Sequence, residues 1–205
     1  MLEKVPEVVG DVLRERRAGL DKLVFNRSGL RVGQAMLQLS SLAFADHASI
    51  PERYTADGEG VSPPLAWQAV PANAASLVLI VEDADSPTAE PLVHAIVVDL
   101  PPADGNLAEG AIKSAGHEGQ HLHEGRNSYL QAGWLPPDPP PGHGEHRYAF
   151  QLFALGPGEP FEGAPGRDEV LRAIGERGIA SGLLVGTYTR PDGSIRSDGP
   201  EAATA

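Results

Sequence analysis

The sequence contains no cysteine, which excludes disulfide bonds, a thiolate nucleophile and a cysteine-ligated metal. It also lacks any apolar run approaching the roughly 20 residues that a transmembrane helix needs. Charged residues interrupt the first 25 positions, so no apolar stretch typical of a signal peptide is present there. From these absences we expect a soluble, cytoplasmic protein.

Basic residues are scarce. Lys and Arg number 16 against 28 Asp and Glu, which gives a formal net charge of −12. Such a surface repels phosphate backbones and anionic bilayers, and this argues against nucleic-acid binding and stable membrane attachment. A small anion must therefore be held by a locally arranged pocket that works against the overall charge.

The composition predicts one folded domain that is rich in β-structure. A chain of 205 residues is long enough to bury a sizeable core, and 41% hydrophobic with 21% charged residues is ordinary for a globular protein. The 24 glycines and 19 prolines indicate many turns. We expect no internal repeat and no boundary within the main domain.

The first 33 residues are predicted to form an N-terminal amphipathic helix and a connection. Apolar residues recur at helical spacing over residues 3–24, with charges between them. The apolar stripe would pack on the domain or on a second copy of the chain, and a homodimer is therefore one prediction. Residues 34–190 then form the β domain, and residues 191–205 form a flexible polar tail.

Six segments predict strands: 36–40, 65–67, 76–81, 93–98, 147–155 and 183–188. The runs Ser76–Val81 and Val93–Val98 are continuously apolar and β-branched, which is typical of strands covered on both faces. One further helix is expected over 168–178, with Asp168 as its cap. Because strands dominate, the pattern favours a β-sandwich or layered antiparallel sheets with a few peripheral helices.

Chemically useful residues concentrate at the ends of two predicted strands. The first group follows Val81, and the second closes a loop rich in proline and glycine. We predict that they form one ligand pocket lined by Asp83, Asp85, Pro87, His94, Pro139, Pro140, Gly142, His146 and Tyr148.

This set can bind a small anion such as a phosphate headgroup. The imidazoles of His94 and His146, the hydroxyl of Tyr148 and loop N–H groups would donate hydrogen bonds. Asp83 or Asp85 would orient and charge a histidine, or would accept hydrogen bonds from an ammonium group on the ligand. The prolines would fix the walls of the pocket.

These segments resemble the phosphatidylethanolamine-binding protein (PEBP) family, and the branch they resemble is the bacterial Raf-kinase-inhibitor-like one. Asp83-Ala84-Asp85-Ser86-Pro87 with His94 matches one signature of the family, and the loop that ends in His146-Arg147-Tyr148 matches another. Residues 57–67 and 184–190 match flanking segments. The resemblance implies a large central sheet with a smaller sheet, a non-enzymatic pocket for a phosphate headgroup, and a regulatory or inhibitory role toward a partner protein.

The sequence departs from the family pattern at several positions. Leu92 stands where the family has a tryptophan near the pocket, and Arg177 stands where a histidine is common. Pro136 and Pro137 replace part of a Gly-Gly-Pro-Cys run whose backbone amides help to hold the anion. A proline supplies no N–H donor.

Other functions remain open at this point. Asp83, Asp85, His94 and His146 could serve a hydrolase, and a module that binds proteins could retain a vestigial pocket. Zinc binding in the glycine-rich loop is disfavoured because the loop fits no catalytic zinc pattern; its candidate ligands are His117, His121 and His123 with Glu118 and Glu124. We predict no metal and no cofactor.

Overall fold

The computed structural model of the chain describes Leu13 and residues 15–30 and 35–191. Within these residues, ten strands form two sheets. The strands are β1 (Ala35–Met36), β2 (Gln38–Ser40), β3 (Ala48–Ser49), β4 (Leu65–Gln68), β5 (Ser76–Asp83), β6 (Leu92–Leu100), β7 (Gly105–Leu107), β8 (His123–Glu124), β9 (His146–Leu155) and β10 (Gly178–Tyr188).

The large sheet has the strand order β1-β10-β9-β5-β6-β8, and β3 also pairs with β10. Its central pairs are antiparallel, whereas β1 and β3 both run parallel to β10. The smaller sheet has the order β2-β4-β7 and is antiparallel. The predicted mainly β fold of a large and a smaller layered sheet is thus confirmed.

Both faces of the large sheet are covered, which explains the continuous apolar runs. Leu79 and Val81 of β5 point into the core cluster that includes residues of the smaller sheet. The alternate residues Val78 and Ile80 belong to a second cluster beneath the helix α2 (Arg167–Arg177). Because successive side chains of a strand point to opposite faces, burial on both sides removes the polar alternation from the sequence.

The helix α2 lies one residue earlier at each end than predicted, and its cap differs. Gly166 is the N-cap, and the side chain of Glu169 accepts a hydrogen bond of 2.6 Å from the Gly166 N–H. Asp168 lies exposed within the first turn, so the prediction that it caps the helix is wrong. The Glu169 side chain pairs with the free N–H of Gly166, so no cap from Asp168 is needed.

The predicted helix over residues 3–24 does not continue through the described part of that range. Residues 16–19 are irregular, a short 3-10 turn covers Leu20–Lys22, and the four-residue helix α1 spans Val24–Arg27. The cause is tertiary: the N–H groups of Ala18 and Gly19 donate to the carbonyls of Ser86 and Ala84. Residues 1–12, 14, 31–34 and 192–205 lie outside the described residues, and so do the predictions made for them, including the flexible tail.

A buried ion pair ties α2 to the large sheet. The carboxylate of Glu82 is fully buried and accepts hydrogen bonds from Arg167 Nε at 2.6 Å, Gln151 Nε2 at 2.8 Å and the Val24 N–H at 2.8 Å. Arg167 also donates to the Lys22 carbonyl. One carboxylate therefore fastens three separate segments together.

Replacing Arg167 by alanine should destabilise the protein by about 3–5 kcal/mol, because the Glu82 carboxylate would remain buried without its counter-charge. Urea unfolding of Arg167→Ala measures the change. Arg172→Ala on the same helix is the matched control, since Arg172 is exposed, and it should change stability by less than about 0.5 kcal/mol. Equal effects of the two substitutions would contradict the assignment.

Candidate functional site

The strand register brings the predicted site residues to one edge of the large sheet. Asp83, at the end of β5, pairs with Leu92 at the start of β6 and with Tyr148 near the start of β9. His146 pairs with Tyr188 at the end of β10. Because neighbouring strands are antiparallel, the end of one lies beside the start of the next, and their connecting loops meet there.

A small cavity of about 50 Å³ opens at this edge. Six of the predicted site residues line it: Asp83, Pro87, His94, Pro139, Pro140 and His146. Its wall also includes residues that the sequence analysis did not select, namely Ser86, Leu92, Tyr129, Leu135, Pro136 and Asp138. The three other predicted residues, Asp85, Gly142 and Tyr148, lie outside this lining.

His94 presents a buried nitrogen without a partner. Its Nδ1 lies 2.6 Å from the Leu135 carbonyl oxygen, and its Nε2 has no hydrogen-bond partner among the described residues. Burial lowers the pKa of His94 below its usual value, against the opposing effects of Asp83 and the Leu135 carbonyl. A neutral ring that donates from Nδ1 leaves a lone pair on Nε2, so this atom accepts a hydrogen bond unless the ring is protonated.

Tyr148 carries a second buried polar atom of this kind. Its hydroxyl has no hydrogen-bond partner in the described part of the chain, and its ring meets the His94 ring edge-on at 5.1 Å between centroids. Burial, with a smaller effect of Asp83, raises the pKa of Tyr148 well above its usual value. The phenol therefore stays neutral and keeps a proton to donate.

Asp83, His146 and His143 form a hydrogen-bonded chain. Asp83 Oδ2 lies 2.7 Å from His146 Nδ1, and His146 Nε2 lies 2.6 Å from His143 Nδ1. His143 Nε2 in turn faces the carbonyl oxygens of Leu13 at 2.9 Å and Arg16 at 3.2 Å. Both ring nitrogens of His146 are thus occupied within the protein, although the sequence analysis expected this residue to donate to a ligand.

Counting protons fixes the charge of this chain. Among the described residues His143 Nε2 faces only carbonyl oxygens, so it carries a proton. The contact between the two rings and the contact between His146 Nδ1 and Asp83 need one proton each. Two imidazoles and one carboxylate that share three protons are neutral as a group. Burial lowers the pKa of His143, and the neighbouring His146 lowers it further.

Asp85 serves the fold around the cavity. Its fully buried carboxylate accepts hydrogen bonds from Arg147 Nε and Nη2, both at 2.7 Å, and from the Arg147 N–H at 2.9 Å. Arg17 Nη1 approaches it at 2.9 Å. Burial raises the pKa of Asp85, but the hydrogen bonds from Arg147 and Arg17 outweigh burial and hold that pKa below its usual value.

An arginine from the far end of the domain fixes the proline-rich loop. Arg190 is buried and donates to Asp57, to Asp138 at 2.7 Å and to the Pro139 carbonyl at 3.0 Å. The segments 57–67 and 184–190 match flanking segments of the family, and Arg190, Asp57 and Asp138 were not among the predicted site residues. The loop prolines themselves provide walls but no N–H donors.

Two other predicted features lie away from the cavity lining. Gly142 adopts a left-handed conformation with φ of 77° in the turn that precedes His143. In the glycine-rich loop, His123 Nδ1 lies 2.8 Å from Asp99 Oδ2, whereas His117 and His121 are exposed. Among the described residues, no group of three or more His, Cys, Asp or Glu side chains is arranged to hold a metal ion.

Comparison with known proteins supports one family. A family model described as phosphatidylethanolamine-binding protein matches residues 40–189. A UPF0098 protein of Methanothermobacter thermautotrophicus is 36% identical over 154 residues, which cover 75% of this chain and 99% of the relative. A UPF0098 protein of Chlamydia trachomatis is 39% identical over 158 residues, covering 75% of this chain and 99% of the relative.

Solved structures agree with these matches. A PEBP homolog from Chlamydia trachomatis superposes with a TM-score of 0.68 at 37% identity, covering 77% of this chain and 99% of that one. E. coli YbcL, described as a member of the mammalian PEBP family, gives a TM-score of 0.69 at 25% identity and covers 77% and 100%. In the residues that the structure describes, no helix combines the length and apolar character needed to cross a bilayer.

Asp85→Asn should lower the stability at pH 7 by about 2–4 kcal/mol, because it removes the charge that Arg147 and Arg17 share. The pKa of Asp85 is depressed in the folded state, so its contribution is present above the unfolded pKa of about 3.9 and is lost as the pH falls through the folded value. The deficit of the variant should therefore shrink below about pH 4.

Urea unfolding of both proteins between pH 7 and pH 2.5 measures this deficit. Asp21→Asn is the control, since Asp21 is exposed, and it should show almost no deficit at any pH. A deficit of Asp85→Asn that stays constant as the pH falls would mean that charge pairing does not stabilise this corner.

Proposed function

This chain belongs to the phosphatidylethanolamine-binding protein family, and we propose that it is a non-enzymatic binding protein whose small cavity takes a phosphate-bearing or similar anion. One observation carries the proposal: His94 Nε2 and the Tyr148 hydroxyl are buried without partners among the described residues. Leaving such an atom unpaired costs about 1–3 kcal/mol. Of these two residues only His94 lines the cavity, so a ligand there recovers that cost through His94 Nε2.

The cavity size fits the charged end of a ligand. A water molecule needs about 10–15 Å³ of such space, so a cavity of about 50 Å³ holds only a few non-hydrogen atoms. That is the size of a phosphate or sulfate group. The remainder of any larger ligand must lie outside the cavity.

Charge in the cavity favours an anion only locally. The acids of the wall are already paired, Asp83 with His146 at 2.7 Å and Asp138 with Arg190 at 2.7 Å. His94 then decides which anion binds. A neutral His94 accepts a hydrogen bond from an anion that carries its own proton, and a protonated His94 donates to one that does not.

The residues fall into two groups within this proposal. The contact with the anion comes from His94, and the walls come from Pro87, Pro139 and Pro140. Tyr148 lies outside the lining and packs edge-on against the His94 ring. His146 and Asp83 fix the charge of the wall as a pair, while Asp85 and Gly142 hold the two loops in place. An ammonium group on the ligand would bind Asp83 rather than Asp85, because the Asp85 carboxylate is taken by arginines.

Three further expectations stay predictions. The regulatory or inhibitory role toward a partner protein rests on the resemblance. The cytoplasmic location rests on the absence of cysteine, of a signal-peptide pattern and of a long apolar run. The homodimer is expected from the apolar stripe of the N-terminal segment. Leu23 of that stripe is buried within the same chain, so sedimentation of the whole protein is the direct test.

Substituting His94 should weaken anion binding measured by isothermal titration calorimetry with inorganic phosphate. His94→Leu should weaken it about tenfold or more, because it removes a hydrogen bond to the anion. Tyr148→Phe should have a smaller effect, because Tyr148 lies outside the cavity lining, and it should leave the fold as stable as the wild type, because its hydroxyl has no hydrogen-bond partner among the described residues. His121→Leu, at an exposed histidine, is the control. Unchanged affinity in His94→Leu would overturn the proposal.

Sulfate binding should depend on pH in a defined direction. Sulfate carries no proton between pH 5 and pH 8, so it needs a protonated His94. The pKa of His94 in the free protein lies below the usual 6.5, because the ring is buried. A bound dianion raises that pKa; the affinity is therefore highest below the free-state value and falls as the pH rises through it. Phosphate retains an O–H across the neutral range and should keep binding where sulfate is lost.

Titrations of both anions from pH 5 to pH 8 provide the measurement. The groups that face the His94 ring are Asp83, His146, Tyr148 and Asp138, of which Tyr148 stays a neutral phenol over this range because burial raises its pKa. His94→Leu therefore serves as the reference, since it should abolish the difference between the two anions. A difference that persists in His94→Leu would assign the effect to the other groups.

A further inference from the structure

A larger groove adjoins the small cavity and is not used by the anion. Its volume is about 630 Å³, within the range of about 300–1,000 Å³ that small-molecule sites occupy. One wall is the tight turn of residues 114–117, closed by the hydrogen bonds between Ser114 and His117. The other walls come from Ala56, Asn127, Tyr129, Gln131, Ala132, Trp134, Leu135, Pro136 and Asp138.

The groove and the cavity share a border. Four residues line both spaces: Tyr129, Leu135, Pro136 and Asp138. Leu135 links them directly, because its carbonyl accepts from His94 Nδ1 and its N–H donates to the His94 carbonyl at 2.8 Å. A molecule whose anionic end lies beside His94 therefore has its other end at the mouth of the groove.

Two buried polar atoms of the groove residues lack partners. Ser114 Oγ and Trp134 Nε1 have no hydrogen-bond partner among the described residues, although the two residues are only 8% and 4% exposed. The second tryptophan of the chain behaves differently, since Trp67 Nε1 donates to the Ala103 carbonyl at 2.9 Å. Buried indole N–H groups normally find a partner, and the described residues supply none to Trp134.

The chemistry of the lining indicates what would satisfy these atoms. The indole can only donate, and the serine hydroxyl can donate or accept, so the ligand must present oxygen acceptors. The rim carries the exposed side chains of Lys113, Glu118 and Gln131, which include both donors and acceptors. Hydroxyl groups can pair with the two buried atoms and with the mixed donors and acceptors of the rim, because each hydroxyl both donates and accepts.

We propose that this groove is a second subsite that binds the hydroxyl-bearing part of a phosphate ester, such as a sugar or polyol phosphate, whose phosphate lies beside His94. The inference rests on the proposed function of the small cavity. It adds that the protein distinguishes its ligand by the hydroxyl groups of the ester, through Ser114 and Trp134, and not by the phosphate alone.

The test compares three ligands by isothermal titration calorimetry at about pH 5.5, where phosphate monoesters still carry a proton. Inorganic phosphate probes the cavity, ethyl phosphate adds an ester without hydroxyl groups, and glucose 6-phosphate adds the hydroxyl groups. Glucose 6-phosphate should bind about tenfold tighter than ethyl phosphate. Ser114→Ala and Trp134→Phe should each reduce this ratio of affinities about threefold to tenfold. Both variants should leave phosphate binding unchanged.

Matched controls separate binding from stability. Ser40→Ala changes an exposed serine on the smaller sheet, and Trp67→Phe changes the tryptophan whose indole is already paired. Both should keep the preference for glucose 6-phosphate. If the two esters bind equally, or if the preference survives both groove variants, the second subsite is refuted while phosphate binding still supports the cavity. If none of the three ligands binds, the proposed function fails and the subsite with it.

Discussion

The site depends on the hydrogen bonds made by the carboxylate of Asp83. One of its oxygens accepts the Asp85 N–H and so closes the turn after β5, and the other binds His146 at the start of β9. Through His143 the same chain reaches the backbone of Leu13 and Arg16. Burying a carboxylate without a counter-charge is unfavourable, so the segment that carries His143 and His146 packs against Asp83. The edge of the sheet is organised by that requirement.

This arrangement assigns different tasks to the two histidines that the sequence presents as equivalent. His146 is held between Asp83 and His143, so both of its ring nitrogens are already paired within the wall. His94 uses one nitrogen on the Leu135 carbonyl, and the other has no partner among the described residues. The difference comes from their neighbours in space, because each histidine stands at the start of a buried strand and the residue types alone do not separate them.

The sequence predicts best what depends on local pattern. β5, β6 and β9 were expected because both of their faces are apolar, and the register of antiparallel strands then brings Asp83, His94 and His146 to one edge. The first residues of β10, including Gly178, Ser181 and Gly182, gave no strand signal, since their strand conformation comes from pairing with β1 and β9. The expected helix over 3–24 does not continue through residues 16–19, because Ala18 and Gly19 donate to the turn at Ala84 and Ser86 instead. Contacts between distant segments, such as those of Arg17, Arg147 and Arg190 with buried acids, have no signature in a local pattern.

The prolines of the cavity wall limit the backbone donors that the proposed anion could use. Pro136, Pro139 and Pro140 line the cavity and have no N–H groups, so these three residues supply none of the backbone donors that usually surround an anion at a loop. The acids of the wall are already paired, and the net charge of −12 opposes the approach of an anion from a distance. Under the proposed function, affinity therefore depends on short-range hydrogen bonding by His94, which in turn depends on where protons lie and on how closely the ligand fits. We expect such a cavity to discriminate between anions by their protonation and by the groups attached to them, more than by their charge.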